Sequence, residues 1–307
     1  MIKIIKSIIL KIFKLIGISK SSNEIEKIAL GRLLSKKNKL KTVEKIEDVE
    51  FKIYSQFGDD GIIQFLINKL EIEYEYQNFI EFGIEDYSEA NTKFLLLNNN
   101  WSGLVLDSSE KNIESLKKKS FFWKHELEAI QAFITRENIN SIISNSSMKG
   151  KKIGILSIDI DGNDYWVWDK INAINPLIVI VEYNSTFGFK HKISIPYKSD
   201  FDRSKSHYSN LYWGASIEAF KSLAKKKGYK FLTTNSAGNN AYFIKENYFD
   251  KLNLQIKKNI FKSKFRESRN EEGDKTFVDF NKRLKIIGHL EVEDVETGKI
   301  SKISELL

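Results

Sequence analysis

The 307-residue chain contains no cysteine, which excludes a disulfide scaffold, a thiol nucleophile and any cysteine-ligated zinc or iron–sulfur centre. Proline is nearly absent as well, and its only two positions, Pro176 and Pro196, fall outside every predicted helix interior. Long uninterrupted apolar runs are missing, so no segment offers the about 20 apolar residues that a spanning helix needs. Internal repeats and low-complexity tracts are missing too. What is present is 41% hydrophobic and 12% aromatic residues, enough apolar surface to offset chain entropy and to exclude a mainly disordered protein. The length suits one large α/β core with appendages.

The formal net charge of +8 hints at nucleic acid until its distribution is examined. Residues 1–45 hold 12 Lys and Arg against 3 acids, leaving 37 basic and 38 acidic side chains in the remainder. The body of the chain is therefore neutral, and no nucleic-acid partner is expected.

Residues 1–20, MIKIIKSIILKIFKLIGISK, carry five lysines and no acid. At about 100° per residue the polar positions Lys3, Lys6, Ser7, Lys11 and Lys14 gather on one arc, with Ile, Leu and Phe13 on the rest, the pattern of a basic amphipathic helix. Such a helix suits a membrane interface with its lysines toward anionic lipid, or it packs on the protein's own body or a second subunit. A cleaved secretory signal is not indicated, because no apolar core precedes a small-residue cleavage site. The expected location is cytoplasmic, at the inner face of the cytoplasmic membrane. Residues 21–50 read as helix and polar connector, with the run from Ser35 to Lys41 solvated.

From residue 51 the pattern changes to alternating strands and helices. Apolar, β-branched runs at 78–82, 103–106, 153–158 and 177–181, with a weaker one at 127–134, are separated by helical stretches. This predicts a mainly parallel sheet covered on both faces. The runs 229–233 and 241–245 flank NSAGNN, whose Asn and Gly suit a tight reversal, so an antiparallel hairpin should close the sheet. Residues 246–307 read as a peripheral extension of helices with a short hairpin near 290–300.

Ligands of such sheets bind beyond the carboxyl ends of the strands. The first strand ends in Glu81-Phe82-Gly83, and the second ends in Asp107, 24 residues after Gly83. A glycine that admits a ligand to the backbone, followed by an acid at the next strand end, suits a nucleoside-like cofactor. Glu85, Asp86 and Glu89 crowd the intervening turn and would repel a diphosphate, so a cationic cofactor without phosphate, such as S-adenosylmethionine, fits better. Asp107 equally suits an N-cap role. Further along the edge stand Asp159, Asp161 and Asp164, then Glu182 and Asn184. Bringing carboxylates together here requires a cation, a substrate hydroxyl or a cationic cofactor. Asp159, Asp161 and Glu182 are oxygen ligands suited to Mg²⁺ or another divalent ion; without one they serve as hydrogen-bond acceptors.

YSQFGDDGII at 54–63, FIEFGIEDYSEANT at 79–92, WSGLVLD at 101–107, LSIDIDGNDYWVW at 156–168, VIVEYN at 179–184, YWGAS at 212–216 and TNSAGNNAYF at 234–243 resemble FkbM-type class I S-adenosylmethionine-dependent methyltransferases. The resemblance covers about residues 51–245. It implies a Rossmann-like sheet of seven strands ending in an antiparallel hairpin, with helices on both faces. It also implies O-methylation of sugars or other hydroxyl-bearing acceptors, here a bacterial surface glycan or its precursor. By matching position, Glu81 and Gly83 would contact the methionine part of the cofactor, Asp107 its ribose, and Gln56 and Asp60 would help close the pocket, with Asp159 on the same edge. The chain departs from the family pattern in its lone Gly83 and in Asp161, where the family often carries Glu.

Transfer to a hydroxyl requires a base or a metal to take the proton. Asp161, Asp159, His207 and His191 are the candidates, the two histidines lying on a long connection, 185–212, of the kind that forms lids. Tyr165, Trp166 and Trp168 could stack on a ring but sit where core aromatics usually stand. Two rivals remain: a nicotinamide-dependent oxidoreductase, and a non-catalytic membrane-surface module on a degenerate methyltransferase fold. The sequence leaves the oligomeric state open.

Overall fold

The computed structural model describes residues 20–252, 259–263 and 268–307. The basic amphipathic segment expected over residues 1–20 lies outside them, apart from its last residue.

Seven strands form the main sheet: β1 (Asn78–Phe82), β2 (Ser102–Asp107), β3 (Leu127–Gln131), β4 (Ile155–Ile158), β5 (Ile178–Glu182), β7 (Tyr229–Thr234) and β8 (Asn240–Lys245). A short strand, β6 (Ile193–Ser194), lies elsewhere. The order across the sheet is β3-β2-β1-β4-β5-β8-β7, with β1 to β5 parallel and β8 antiparallel to both neighbours. This is the Rossmann-like order of class I methyltransferases, and the closing hairpin is where the NSAGNN reversal places it.

The apolar runs alternate between two layers because successive strand residues face opposite sides. Phe79, Val105, Ile155 and Ile178 point into one core, while Ile80, Leu104, Leu156 and Val179 point into the other. Polar caps start the crossover helices: Ser109 accepts from the Asn112 amide before the helix Glu110–Lys117, and Ser216 from that of Ala219 before Ile217–Lys226. The aromatics after β4 are core. Trp168 is buried among Phe220, Tyr229 and Phe243, and Trp166 donates to the Ile195 carbonyl at 2.8 Å.

Residues 20–50 form one long helix, Lys20–Lys39, and a 3₁₀ turn, Ile46–Val49, whose Ile46 and Val49 are fully buried. The connector is thus docked on the body. The extension after 246 is likewise integrated. Its hairpin, β9 (Glu291–Asp294) and β10 (Ile300–Lys302), pairs through β9 with β6 of the long connection. Phe187, Ile195 and Phe201 of the connection, with Trp213 just beyond it, then share a third core with Ile287, Val292 and Ile303.

Candidate functional site

A cleft of about 610 Å³ opens along the carboxyl ends of the parallel strands. Its first wall is the turn after β1. Gly83 has φ +71°, and a Cβ there would lie 1.5 Å from the Asp159 carbonyl oxygen, so only glycine lets the β1 and β4 turns meet. Glu81 is buried within the cleft and holds the rest of this turn: its carboxylate accepts from the Asn91 and Thr92 amides at 2.8 and 3.0 Å and from the Thr92 hydroxyl. Burial pushes its pKa up to about 7 despite those bonds.

Asp107, at the end of β2, accepts from the Glu85 amide (2.8 Å), the Ser109 amide (2.8 Å) and Asn112 Nδ2 (3.1 Å). Asp107 lines the cleft, and the N-cap of the following helix is Ser109, not Asp107. Three donors leave about one of a carboxylate's four lone-pair sites for a ligand hydroxyl.

Asp60 does not line the cleft. One of its oxygens accepts from the amides of Ile53, Tyr54 and Ser55 and from the Ser55 hydroxyl, all at 2.7–2.8 Å, which arches the chain so that Gln56 reaches the rim. Its neighbour Asp59 is fully buried and accepts from Asn235, Asn240 and Tyr242. That bond set ties the segment at 54–63 to the β7–β8 turn, bringing Asn239 and Asn240 into the lining.

The opposite half of the cleft is acidic. Carboxylate oxygens of Asp159, Asp161 and Glu182 lie within 4.8 Å of one another. Burial, then the neighbouring carboxylates, push Asp159 and Glu182 well above the usual carboxylate range, which favours a proton held between the two. Glu182 Oε2 is buried without a hydrogen-bond partner. Asp161 is exposed, takes the left-handed φ of +56°, and pairs with Arg203. Asp164 faces away, accepting from the Ile160 and Gly162 amides at 2.9 Å.

Arg203 escapes sequence reasoning. It sits on the short helix Arg203–Ser206 of the connection, its guanidinium 4.8 Å from the Trp213 ring centroid and its Nε donating to the Asn210 carbonyl at 2.8 Å. Nothing in the local sequence separates it from its neighbours, because its place depends on the third core. The two candidate histidines do not reach the cleft. His207 turns to Ser209, 2.7 Å from Nδ1, and to the His289 ring, while His191 also lies outside the lining. Among the described residues the lining holds eight carboxylates and one guanidinium.

No protein-family model matches the sequence, and no curated protein matches it. Solved structures do resemble it. A putative caffeoyl-CoA O-methyltransferase from Staphylococcus aureus is 15% identical, with 79% of this chain and 99% of that one covered and a TM-score of 0.40. An O-methyltransferase from Bacillus cereus in complex with SAH is 17% identical, with 59% and 77% covered and a TM-score of 0.36. The N-terminal domain of EvdMO1, in the presence of SAH and D-fucose, is 9% identical, with 58% and 80% covered and a TM-score of 0.35. At such identities these are likenesses of fold and of nothing finer.

Proposed function

We propose that this protein is an S-adenosylmethionine-dependent O-methyltransferase of FkbM type acting on a sugar hydroxyl of a bacterial surface glycan or its precursor. The observation that carries the reading is a single cleft that Gly83 and Asp107 line on one side and the acidic trio Asp159, Asp161 and Glu182 on the other. Eight carboxylates against one guanidinium favour a sulfonium cofactor and disfavour the diphosphate of a nicotinamide dinucleotide.

The chain's own groups divide the work. Gly83 lets the cofactor's amino-acid end approach the backbone, Glu81 holds the turn that lines it, and the remaining lone pair of Asp107 takes a ribose hydroxyl. Gln56 and Asn239 close the rim. Transfer joins the acceptor oxygen to the methyl carbon as the S–CH₃ bond breaks, leaving a neutral thioether and one proton. Asp161, the exposed carboxylate of the trio, takes that proton, because Asp159 already shares one with Glu182. The same residues fit a hard divalent ion: the donor set is all oxygen, and Glu182 Oε2 is buried and unpaired. Such an ion, held by Asp159, Asp161 and Glu182, would lower the pKa of a bound hydroxyl.

Titration calorimetry with S-adenosylmethionine tests the reading. Binding is expected, weakened about tenfold or more in Asp107→Ala. Absence of binding, or binding indifferent to that substitution, overturns it.

A further inference from the structure

Asn163 stands at the head of the helix Asp164–Lys170, directly after the acidic turn, and its side chain departs from what that position ordinarily does. An asparagine there normally turns its oxygen onto an amide of the first helical turn. Here it makes no such bond. Its Nδ2 donates instead to the Lys198 carbonyl at 2.8 Å, on the connection that walls the cleft. That bond fixes the sense of the side-chain amide, because the opposite orientation would set two carbonyl oxygens against each other. Among the described residues Oδ1 is left buried without a hydrogen-bond partner, on a residue only 3% exposed that lines the cleft.

The amides and the cation nearby are engaged elsewhere. The Ile160 and Gly162 amides donate to Asp164, the Gly214 amide to the Gly162 carbonyl, and the Phe201 amide to the Lys198 carbonyl. Arg203 donates to Asp161 and to the Asn210 carbonyl. A buried carbonyl oxygen without a donor is costly, so what fills the cleft has to supply one. Glu182 Oε2, buried and unpaired in the same lining, makes the same demand. Phe201 packs on Gly162, where a Cβ would lie 2.3 Å from its ring, and gives this part of the lining an apolar wall. Two bare acceptors in a lining that also holds an aromatic ring suit a polyhydroxylated ring, whose hydroxyls donate and whose C–H face packs.

We propose that Asn163 is a specificity-determining residue that accepts from a second hydroxyl of the acceptor, one that is not methylated. The substrate class is then a ring with at least two free hydroxyls, not an isolated alcohol or phenol. This rests on the methyltransferase reading above. The bond orients the ring so that a different hydroxyl meets Asp161, two residues earlier on the same turn. An acceptor without the second hydroxyl leaves Oδ1 unpaired and is rejected.

The test is methyl transfer from labelled S-adenosylmethionine to methyl pyranosides of gluco, galacto and manno configuration and to their monodeoxy counterparts, by the full chain and by Asn163→Ala. For a pyranoside that is methylated, removing one hydroxyl other than the methylated one is expected to lower kcat/KM about tenfold or more in the parent chain. In Asn163→Ala that penalty should shrink to less than about twofold. The ratio between two substrates does not depend on how much of the variant is folded, and a merely structural role would lower both rates together. The proposal is overturned if every deoxy ring is used as well as its parent, or if Asn163→Ala keeps the full penalty. A kept penalty together with weakened Mn²⁺ binding would give the oxygen to a metal ion instead. Transfer to none of the pyranosides overturns the proposal too, and calorimetry with S-adenosylmethionine then separates the causes: intact cofactor binding leaves the methyltransferase reading standing, and lost binding removes it as well.

Discussion

Gly83 and Arg203 act on the same acidic turn from opposite sides. Gly83 admits the Asp159 carbonyl where any side chain would collide, and Arg203 supplies, among the described residues, the one cation of the cleft lining, paired with Asp161. The guanidinium and a divalent ion would compete for the same oxygens. Arg203→Ala is therefore expected to tighten Mn²⁺ binding about tenfold, and Asp161→Asn to weaken it by as much, read by electron paramagnetic resonance. Unchanged affinity in both variants would remove the trio as a metal centre. The acids were legible in the sequence because a strand end fixes where the next residue stands. Asp60 was visible too, yet its place behind the rim was not, since four donors converging on one oxygen are a property of a folded loop. His207 misled for the opposite reason: a polar residue on a long connection has no register to say which way it turns.

At the scale of elements, every strand of the main sheet was readable from its apolar run, and the helices Glu110–Lys117 and Ile217–Lys226 as helical stretches between those runs, whereas their Ser109 and Ser216 caps were not read. β6 was not, being two residues long and held between the bridge at Ala215 and β9, far along the chain. Its sheet makes the connection 185–212 an ordered wall of the cleft. A carboxylate at Val292, which is fully buried on β9, would be left unpaired at a cost of about 3–5 kcal/mol to that sheet. Val292→Asp should speed proteolytic cleavage within 188–212 about tenfold or more while S-adenosylmethionine affinity, which the proposed function assigns to Gly83 and Asp107, changes by less than about twofold. Equal loss of both would show that the cap and the cofactor half fold as one unit.

For the molecule as a whole, buried acids set the pH response. Burial raises Asp60 to about 6 and Glu81 to about 7, above the about 4 of an unfolded chain. Between those limits the folded state holds more protons than the unfolded one, so the contribution of these groups is complete below about pH 4 and is lost as pH rises through 6 to 7. The melting temperature, followed by circular dichroism, should be about 4 °C or more higher at pH 5 than at pH 8. Asp60→Asn, neutral throughout, should flatten that slope. The pairing of Ser194 with Glu293 bears finally on the order of assembly. The ribosome delivers the chain from its amino end, so all seven strands of the main sheet can pair, and the Gly83 turn can close, while β9, one of the two partners of β6, is still unmade. The wall that carries Arg203 then gains its β9 backing only after almost the entire chain has emerged, and the nascent chain passes through a stage with a formed main sheet and an incompletely braced cleft wall.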